Sequence, residues 1–214
     1  MKTILTYGDS NTWGYNPDAK DFSDCRFGRH ERWPGLLQGL LGSTFHVVEE
    51  GLGGRTTMFD SPNHPGRNGL SWLIPCLQTH QPLDIVVFML GTNDVNTFYN
   101  VPVSTVACGM SAIVETTLKP FIYDTRKAPH ILIISPFHII DCEVFDFIDH
   151  TSVEKSHLLA TEYAKIAEQY GCFFLDCSEI TGPHPKEGLH LSLDGHHALA
   201  KAVYKKIVME VIRQ

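Results

Sequence analysis

The chain has few charged residues, and those it has do not form a basic stripe. Charged side chains make up 19% of the 214 residues, below the roughly 25% that is usual in soluble proteins. Acidic residues outnumber basic ones by 24 to 17, which gives a formal net charge of -7. Because binding to a nucleic-acid backbone depends on clustered Lys and Arg, we expect no nucleic-acid partner.

Long apolar runs and recognisable cofactor motifs are also missing. No segment approaches the roughly 18 apolar residues of a membrane span, and the apolar stretch after Met1 is too short for a signal peptide. The six cysteines form no Cys-x-x-Cys pair, and no His-Glu-x-x-His motif occurs. We therefore expect a cytoplasmic protein with reduced thiols, no membrane partner, no metal and no cofactor.

Short apolar runs alternate along the chain with longer amphipathic segments. The predicted strands are residues 3–7, 45–49, 84–89, 130–135 and 172–175, which are rich in Ile, Val, Leu and Phe. The predicted helices are residues 33–41, 103–118, 153–170 and 194–212. This alternation predicts an α/β fold in which helices cover both faces of a five-stranded parallel sheet, with residues 1–214 as one domain.

Polar residues follow two of the predicted strands. Ser10 lies in Gly-Asp-Ser-Asn after the first strand, and Asn93 lies in Gly-Thr-Asn-Asp after the third. Ligands of open parallel sheets bind beyond these strand ends, so Ser10 is a candidate nucleophile and Asn93 a candidate donor to an oxyanion. Both strings are also consistent with ordinary turns, in which Ser10 caps a helix.

A glycine-rich loop follows the second predicted strand. Three glycines in residues 51–54 permit close backbone approach, and an N–H group there could face an oxyanion. A phosphate cradle is the alternative, but the loop has neither the Gly-Lys-Ser/Thr ending of a P-loop nor the Gly-x-Gly-x-x-Gly spacing of a dinucleotide site.

A carboxylate and a histidine precede the last predicted helix. Glu187 lies three residues before His190, across a glycine, so that a curved loop would let it orient the imidazole. On its own, His190 is also consistent with a surface or capping histidine. Taken together, the four motifs supply a nucleophile, oxyanion donors, a base and an orienting acid, the set that acyl transfer through a tetrahedral intermediate needs.

The order of Gly8-Asp9-Ser10, Gly54, Asn93 and His190 resembles the four blocks of the SGNH hydrolases, also called GDSL esterases. Longer strings, Gly-Asp-Ser-Asn-Thr-Trp-Gly-Tyr, Glu-Glu-Gly-Leu-Gly-Gly-Arg-Thr-Thr and Met-Leu-Gly-Thr-Asn-Asp, are most similar to the arylesterase and acyltransferase branch. The resemblance covers the whole chain and implies a flavodoxin-like three-layer α/β/α sandwich. In keeping with that, the Gly-x-Ser-x-Gly elbow of the α/β-hydrolase fold is absent.

The resemblance also implies roles for the motif residues. Ser10 would be the nucleophile and His190 the general base. The N–H groups of Ser10 and Gly54 and the side chain of Asn93 would form the oxyanion hole. The family usually has Asp three residues before the histidine, whereas this chain has Glu187, which could serve as the triad acid from a shifted loop.

Several other residues have a structural and a functional interpretation. Trp13, Tyr15 and Phe137 would wall the substrate pocket, or would pack their loops. Arg55 would form a structural salt bridge, or would pair with a carboxylate near the site. Asp194 would cap the last helix, with a role as the triad acid as the less favoured alternative.

We therefore expect a serine esterase that acts on a small-molecule ester through an acyl-enzyme on Ser10. It would hydrolyse or transfer short acyl groups, of which acetyl is the one we expect most. A carbohydrate O-acetyl esterase would use the same residues. A catalytically impaired ligand-binding protein and a flavin- or nucleotide-binding flavodoxin-like protein are the alternatives of a different class. Relatives in this branch often form oligomers, which implies a homo-oligomer.

Overall fold

A computed structural model describes residues 1–21, 23–61 and 63–213. For residue 213 only the backbone is described. In these ranges five strands form one sheet, in which every pairing is parallel. The order across the sheet is β2-β1-β3-β4-β5. The strands are β1 (Lys2–Gly8), β2 (Phe45–Gly51), β3 (Ile85–Met89), β4 (His130–Ser135) and β5 (Phe173–Asp176).

Helices alternate with the strands and form the two outer layers. They are α1 (Ser10–Trp13), α2 (Trp33–Leu41), α3 (Gly69–His80), α4 (Val103–Thr117), α5 (His150–Tyr170) and α6 (Leu193–Met209). The prediction of a three-layer α/β fold with a five-stranded parallel sheet is confirmed. None of the described helices is both long and apolar enough to cross a membrane.

The sheet separates two apolar layers. Side chains alternate along each strand, so that Val86 and Phe88 of β3 pack with α3, α4 and α5, whereas Val87 and Met89 pack with α2 and α6. All five residues of β3 are buried, as expected for the central strand of a sheet that is covered on both faces.

Helix α3 is absent from the predicted set. Its sequence contains Pro75, and two of its large apolar side chains, Trp72 and Ile74, are 53% and 40% exposed. Only one narrow side is buried, so the apolar spacing does not indicate a helix. The helix begins at a side-chain cap, since Asn68 Oδ1 accepts a hydrogen bond from Ser71 N at 3.1 Å.

The start of α6 differs from the expectation for Asp194. Ser192 is the N-cap, and its Oγ accepts a hydrogen bond from Gly195 N at 3.1 Å. Asp194 lies in the first turn, where a carboxylate interacts favourably with the helix dipole. The assignment of Asp194 as the cap is therefore wrong by two residues.

Glycines at two strand ends allow α1 to lie directly on the sheet edge. A Cβ atom on Gly8 would be 2.1 Å from Thr12 Oγ1, and one on Gly51 would be 2.1 Å from Trp13 N. Neither contact is sterically allowed, so both positions require glycine. This close packing holds Ser10, the first residue of α1, at the carboxyl end of β1.

Candidate active site

Ser10 is held by a short helix with a carboxylate cap. Asp9 Oδ1 accepts a hydrogen bond from Asn11 N at 2.9 Å and caps α1. Ser10 is 8% exposed and lines a cavity of about 480 Å³. Because it is the first residue of the helix, its N–H has no intrahelical acceptor and can serve an external oxygen. The interpretation of Ser10 itself as the N-cap is wrong, because Asp9 has that position.

Ser10, His190 and Glu187 form one chain of hydrogen bonds. His190 Nε2 lies 3.0 Å from Ser10 Oγ, and His190 Nδ1 lies 2.7 Å from Glu187 Oε2. All three residues are buried. The imidazole thus contacts the hydroxyl through one nitrogen and the carboxylate through the other, which is the geometry of a serine nucleophile with an oriented base.

Both oxygens of the Glu187 carboxylate are used. Oε2 faces the imidazole, while Oε1 accepts hydrogen bonds from the backbone N–H groups of Leu189, at 3.1 Å, and His190. Burial raises the pKa of Glu187, but hydrogen bonds from His190 and the backbone lower it by more, so that its pKa lies below the ordinary value. Glu187 is therefore an ionised hydrogen-bond acceptor at neutral pH.

The turn between Glu187 and His190 depends on Gly188. Its φ angle is +75°, and a Cβ atom would lie 1.9 Å from the carbonyl oxygen of Ile140. The carbonyl of Gly188 accepts a hydrogen bond from Ile140 N at 2.9 Å. The loop thereby curves tightly enough to bring the longer glutamate side chain under the imidazole.

Asn11 joins helix α1, which carries Ser10, to the loop of residues 187–191, which carries His190. We did not predict this role. Its Oδ1 accepts from Leu191 N at 2.8 Å, and its Nδ2 donates to the carbonyl of Leu189 at 3.3 Å. These two residues flank His190, so the Asn11 amide positions the base relative to Ser10. The sequence gives no signal for these contacts, because Asn11 and Leu191 are separated by 180 residues along the chain.

The expected oxyanion donors lie around the same cavity. Gly54 and Asn93 both line it with Ser10 and His190. Gly54 has a φ angle of +75°, a conformation that favours glycine. Asn93 Nδ2 donates to the carbonyl of Arg55 at 3.0 Å, and since an amide nitrogen carries two hydrogens, one remains for a ligand.

Among the residues that the structure describes, Arg55 has no carboxylate partner for the salt bridge that we expected. Its guanidinium donates to the backbone carbonyls of Gly8, at 2.9 Å, and Glu50. It also lies 4.0 Å from the centroid of the Tyr7 ring. The buried cation thus joins the ends of β1 and β2 and supports the loop that carries Gly54.

Two buried carboxylates support the loops behind Ser10. Asp94 Oδ1 accepts from the backbone N–H of Thr57 at 2.8 Å and from its hydroxyl at 2.5 Å. Burial raises the pKa of Asp94 to about 7 and that of Asp9 to about 6, although hydrogen bonds oppose both shifts. Asp9 supports its loop as the cap of α1.

Aromatic rings cover one side of the cavity. The Tyr15 ring lies over His190, with centroids 4.1 Å apart, and the Phe145 ring meets His190 edge-on at 6.1 Å. Phe147 stacks on Phe145 with centroids 5.2 Å apart. Phe145 and Phe147 lie in an irregular segment whose sequence has no periodicity, so nothing in the sequence pointed to their place beside His190.

Polar side chains and further apolar or aromatic ones also line the cavity: Ser61, Asn63, His64, Arg67 and Asn96, and Phe98, Tyr99 and Leu189. Of the three predicted pocket residues, only Tyr15 is among the lining residues that the structure describes. Trp13 packs under the guanidinium of Arg26, at 4.7 Å. Phe137 is 1% exposed in the apolar layer beneath α2 and α6. The structure therefore does not bring Trp13 and Phe137 to the cavity.

Comparison with known proteins gives one family match. The family model for GDSL-like lipases and acylhydrolases matches residues 6–198. None of the curated proteins compared with the chain matches it.

Several solved structures are similar over nearly their full length. The aryl esterase of M. smegmatis is 34% identical, with a TM-score of 0.91, over 98% of this chain and 99% of its own. Est24, a carbohydrate acetylesterase from Sinorhizobium meliloti, is 31% identical with a TM-score of 0.91 and the same coverage. A putative arylesterase from Agrobacterium tumefaciens str. C58 is 33% identical, with a TM-score of 0.89, over 99% of this chain and 100% of its own.

Proposed function

Because the chain belongs to the GDSL-like lipase/acylhydrolase family, we propose that it is a serine esterase. It hydrolyses short acyl esters, above all acetyl esters, through an acyl-enzyme on Ser10. The observation that carries the proposal is the continuous hydrogen-bond chain from Glu187 through His190 to Ser10 at the wall of the cavity.

Acylation begins with attack by Ser10 Oγ on the ester carbonyl carbon. His190 Nε2, 3.0 Å away, accepts the hydroxyl proton, and Glu187 stabilises the resulting imidazolium through Nδ1. The N–H groups of Ser10 and Gly54 and the free hydrogen of the Asn93 amide bind the developing oxyanion. When the tetrahedral intermediate collapses, His190 returns the proton to the leaving alcohol, and the acyl group stays on Ser10.

Deacylation repeats the same steps with water as the nucleophile. His190 Nε2 accepts a proton from water as it attacks the acyl carbon, and the proton then passes to Ser10 Oγ as the acid leaves. An alcohol in place of water would give acyl transfer instead. The rings of Tyr15 and Phe145 lie against His190, and apolar cover of this kind would favour transfer to an alcohol by limiting the access of water.

Glu187 fits the place of the usual aspartate. Its extra methylene is accommodated because the carboxylate is anchored by two backbone N–H groups while it still faces Nδ1. This arrangement argues against a catalytically impaired binding protein.

The proposal is tested by steady-state hydrolysis of p-nitrophenyl acetate by the wild type and Ser10→Ala. We expect kcat to fall by a factor on the order of 10³ or more in Ser10→Ala, since nucleophile and base act as a unit. The matched control is Ser71→Ala, a replacement on α3 outside the cavity lining, which should keep wild-type activity. Equal activity of wild type and Ser10→Ala would contradict the proposal.

A carbohydrate O-acetyl esterase is the second candidate. Polar side chains, including Asn63, Arg67 and Asn96, line the cavity together with the aromatic rings, and Est24 is a carbohydrate acetylesterase. Comparison of kcat/KM for an acetylated sugar and for an aryl acetate separates the two. A much higher value for the sugar would favour this candidate.

Self-association remains a prediction from the family resemblance. Large apolar side chains are exposed outside the cavity, among them Trp72 at 53% and Phe121 at 68%. Light scattering on the eluting peak of a size-exclusion column would give the mass directly. A mass of one chain at micromolar concentration would contradict the prediction.

A further inference from the structure

Three potential metal ligands meet beside β2, outside the catalytic cavity. Cys76 and His80 lie four residues apart on α3 and so share one face of the helix. Glu50 is the penultimate residue of β2. One ligand atom from each lies within 4.8 Å of the other two, and His80 Nε2 is 2.7 Å from Glu50 Oε1. Within the described ranges, this is the one such group of three.

We propose that Glu50, Cys76 and His80 bind a divalent cation of the zinc class. A thiolate, an imidazole and a carboxylate are ligands that Zn²⁺ accepts together, whereas Mg²⁺ and Ca²⁺ prefer oxygen ligands. Zinc–ligand bonds of about 2.0–2.3 Å in tetrahedral geometry place the ligand atoms roughly 3.4–3.6 Å apart. The ion would lie between His80 Nε2 and Glu50 Oε1, which would move apart to admit it, and Cys76 Sγ would approach it as the third ligand.

The surroundings leave room for a fourth ligand. The three side chains border a cavity of about 450 Å³ that Thr79 and Trp72 also line. Side-chain exposure of 26% for His80 and 32% for Glu50 gives an ion access from solvent. The site therefore offers three protein ligands and one exchangeable position for water.

The charge balance is favourable once the thiol is ionised. On binding, the S–H bond of Cys76 breaks, its proton passes to water or buffer, and a sulfur–metal bond forms without change of oxidation state. The thiolate and the Glu50 carboxylate then neutralise a dication. Arg55 and Arg67 also line this cavity. The Arg55 guanidinium donates to the carbonyls of Gly8 and Glu50, and Arg67 Nη1 donates to the carbonyl of Pro65 at 3.1 Å.

The position of the site indicates a structural role. A bound ion would join the end of edge strand β2 to α3, next to the loop that carries Gly54. It would not touch the Ser10–His190 pair, so hydrolysis does not depend on it. From the sequence we expected no metal, because Cys-x-x-Cys and His-Glu-x-x-His motifs are missing. This group has no such motif, since Cys76 and His80 lie on a helix that the sequence did not indicate and Glu50 comes from a distant strand.

The test is a cobalt titration of the chelator-treated full chain, since Co²⁺ occupies zinc sites and reports a thiolate ligand by a near-ultraviolet charge-transfer band. Wild type, Cys76→Ser and His80→Asn are compared with Cys108→Ser, which removes an exposed cysteine on α4. Ester hydrolysis in metal-free buffer verifies that each variant is folded, and Zn²⁺ competition for bound Co²⁺ gives the zinc affinity.

We expect wild type and Cys108→Ser to bind one Co²⁺ with a thiolate band that Zn²⁺ abolishes. Cys76→Ser should lack the band, and His80→Asn, which keeps the thiol, should bind at least tenfold more weakly. Zn²⁺ should also raise the Tm of wild type but not of Cys76→Ser. A wild type without the band, or an unchanged band in folded Cys76→Ser, would overturn the proposal.

Discussion

At the scale of single residues, Glu187 accounts for the orientation of the His190 imidazole. Its carboxylate connects the Nδ1 atom of His190 to the backbone N–H groups of the same loop. The aspartate that is usual in the family is shorter by one methylene, so the loop and the side chain have to be matched to each other.

Replacement of this carboxylate should lower turnover. In Glu187→Gln an amide replaces the acceptor for the imidazole N–H, and we expect kcat for p-nitrophenyl acetate to fall by about 10²–10⁴-fold, the usual contribution of general acid–base catalysis. Glu187→Asp keeps the charge and should lose less. Equal loss in both variants would mean that the length of the side chain, rather than its charge, is what matters.

A second residue-scale prediction concerns the buried carboxyl group of Asp94. Its pKa is raised from 3.8 to about 7 by burial, so between these values the folded state holds a proton that the unfolded state releases. The stabilising effect of the proton is fully present below pH 3.8 and is lost as pH rises through about 7.

Asp94→Asn should weaken this pH dependence. The amide oxygen can still accept from Thr57 N and Oγ1, as Oδ1 does now, but no charge develops. We expect the urea midpoint of wild type to fall from pH 5 to pH 8 by more than that of Asp94→Asn. The charge of Asp9 helps to raise the pKa of Asp94, and loss of that coupling in Asp94→Asn also weakens the pH dependence. Parallel curves would therefore show that Asp94 does not titrate in this range.

At the scale of elements, the site depends on loops that are fixed by specific backbone conformations. Gly188 is required by its positive φ angle and by the carbonyl of Ile140, 1.9 Å from where a Cβ atom would lie. The contact is with backbone, which cannot move aside as a flexible side chain can. The loop that holds Glu187 and His190 would have to shift.

Gly188→Ala should therefore impair both stability and turnover. We expect a loss of about 1–3 kcal/mol in the free energy of unfolding and at least a tenfold fall in kcat. Gly182→Ala is the matched control, because a Cβ atom there meets nothing within 4 Å. Chemical denaturation and ester hydrolysis measure the two effects, and similar behaviour of both variants would contradict this account of the loop.

The strands and helices differ in how well their positions could be predicted from the sequence. Strands buried on both faces have uninterrupted apolar runs, so β3 and β4 could be located within a residue of their ends. Helix α3 could not, because Pro75 interrupts it and Trp72 is exposed. For the same reason the sequence did not show that Cys76 and His80 lie on one helix face, on which the proposed cation site depends.

At the scale of the whole molecule, the parallel sheet explains why distant motifs meet. Ser10, Gly54 and Asn93 follow β1, β2 and β3, and the carboxyl ends of these strands lie at one edge. Their proximity could be predicted from the strand pattern alone. The contacts of Asn11 with the histidine loop and of Phe145 with His190 could not, because they depend on how irregular loops fold over that edge.

The central claim is that an acyl group passes through Ser10, and trapping that intermediate tests it most directly. Protein mixed rapidly with p-nitrophenyl acetate is quenched in acid, digested and examined by peptide mass spectrometry. The account predicts one acetyl group on the peptide that contains Ser10 in the wild type and none on that peptide in Ser10→Ala. Sustained turnover with no acetyl group on that peptide, or with acetylation of another residue at the turnover rate, would contradict it.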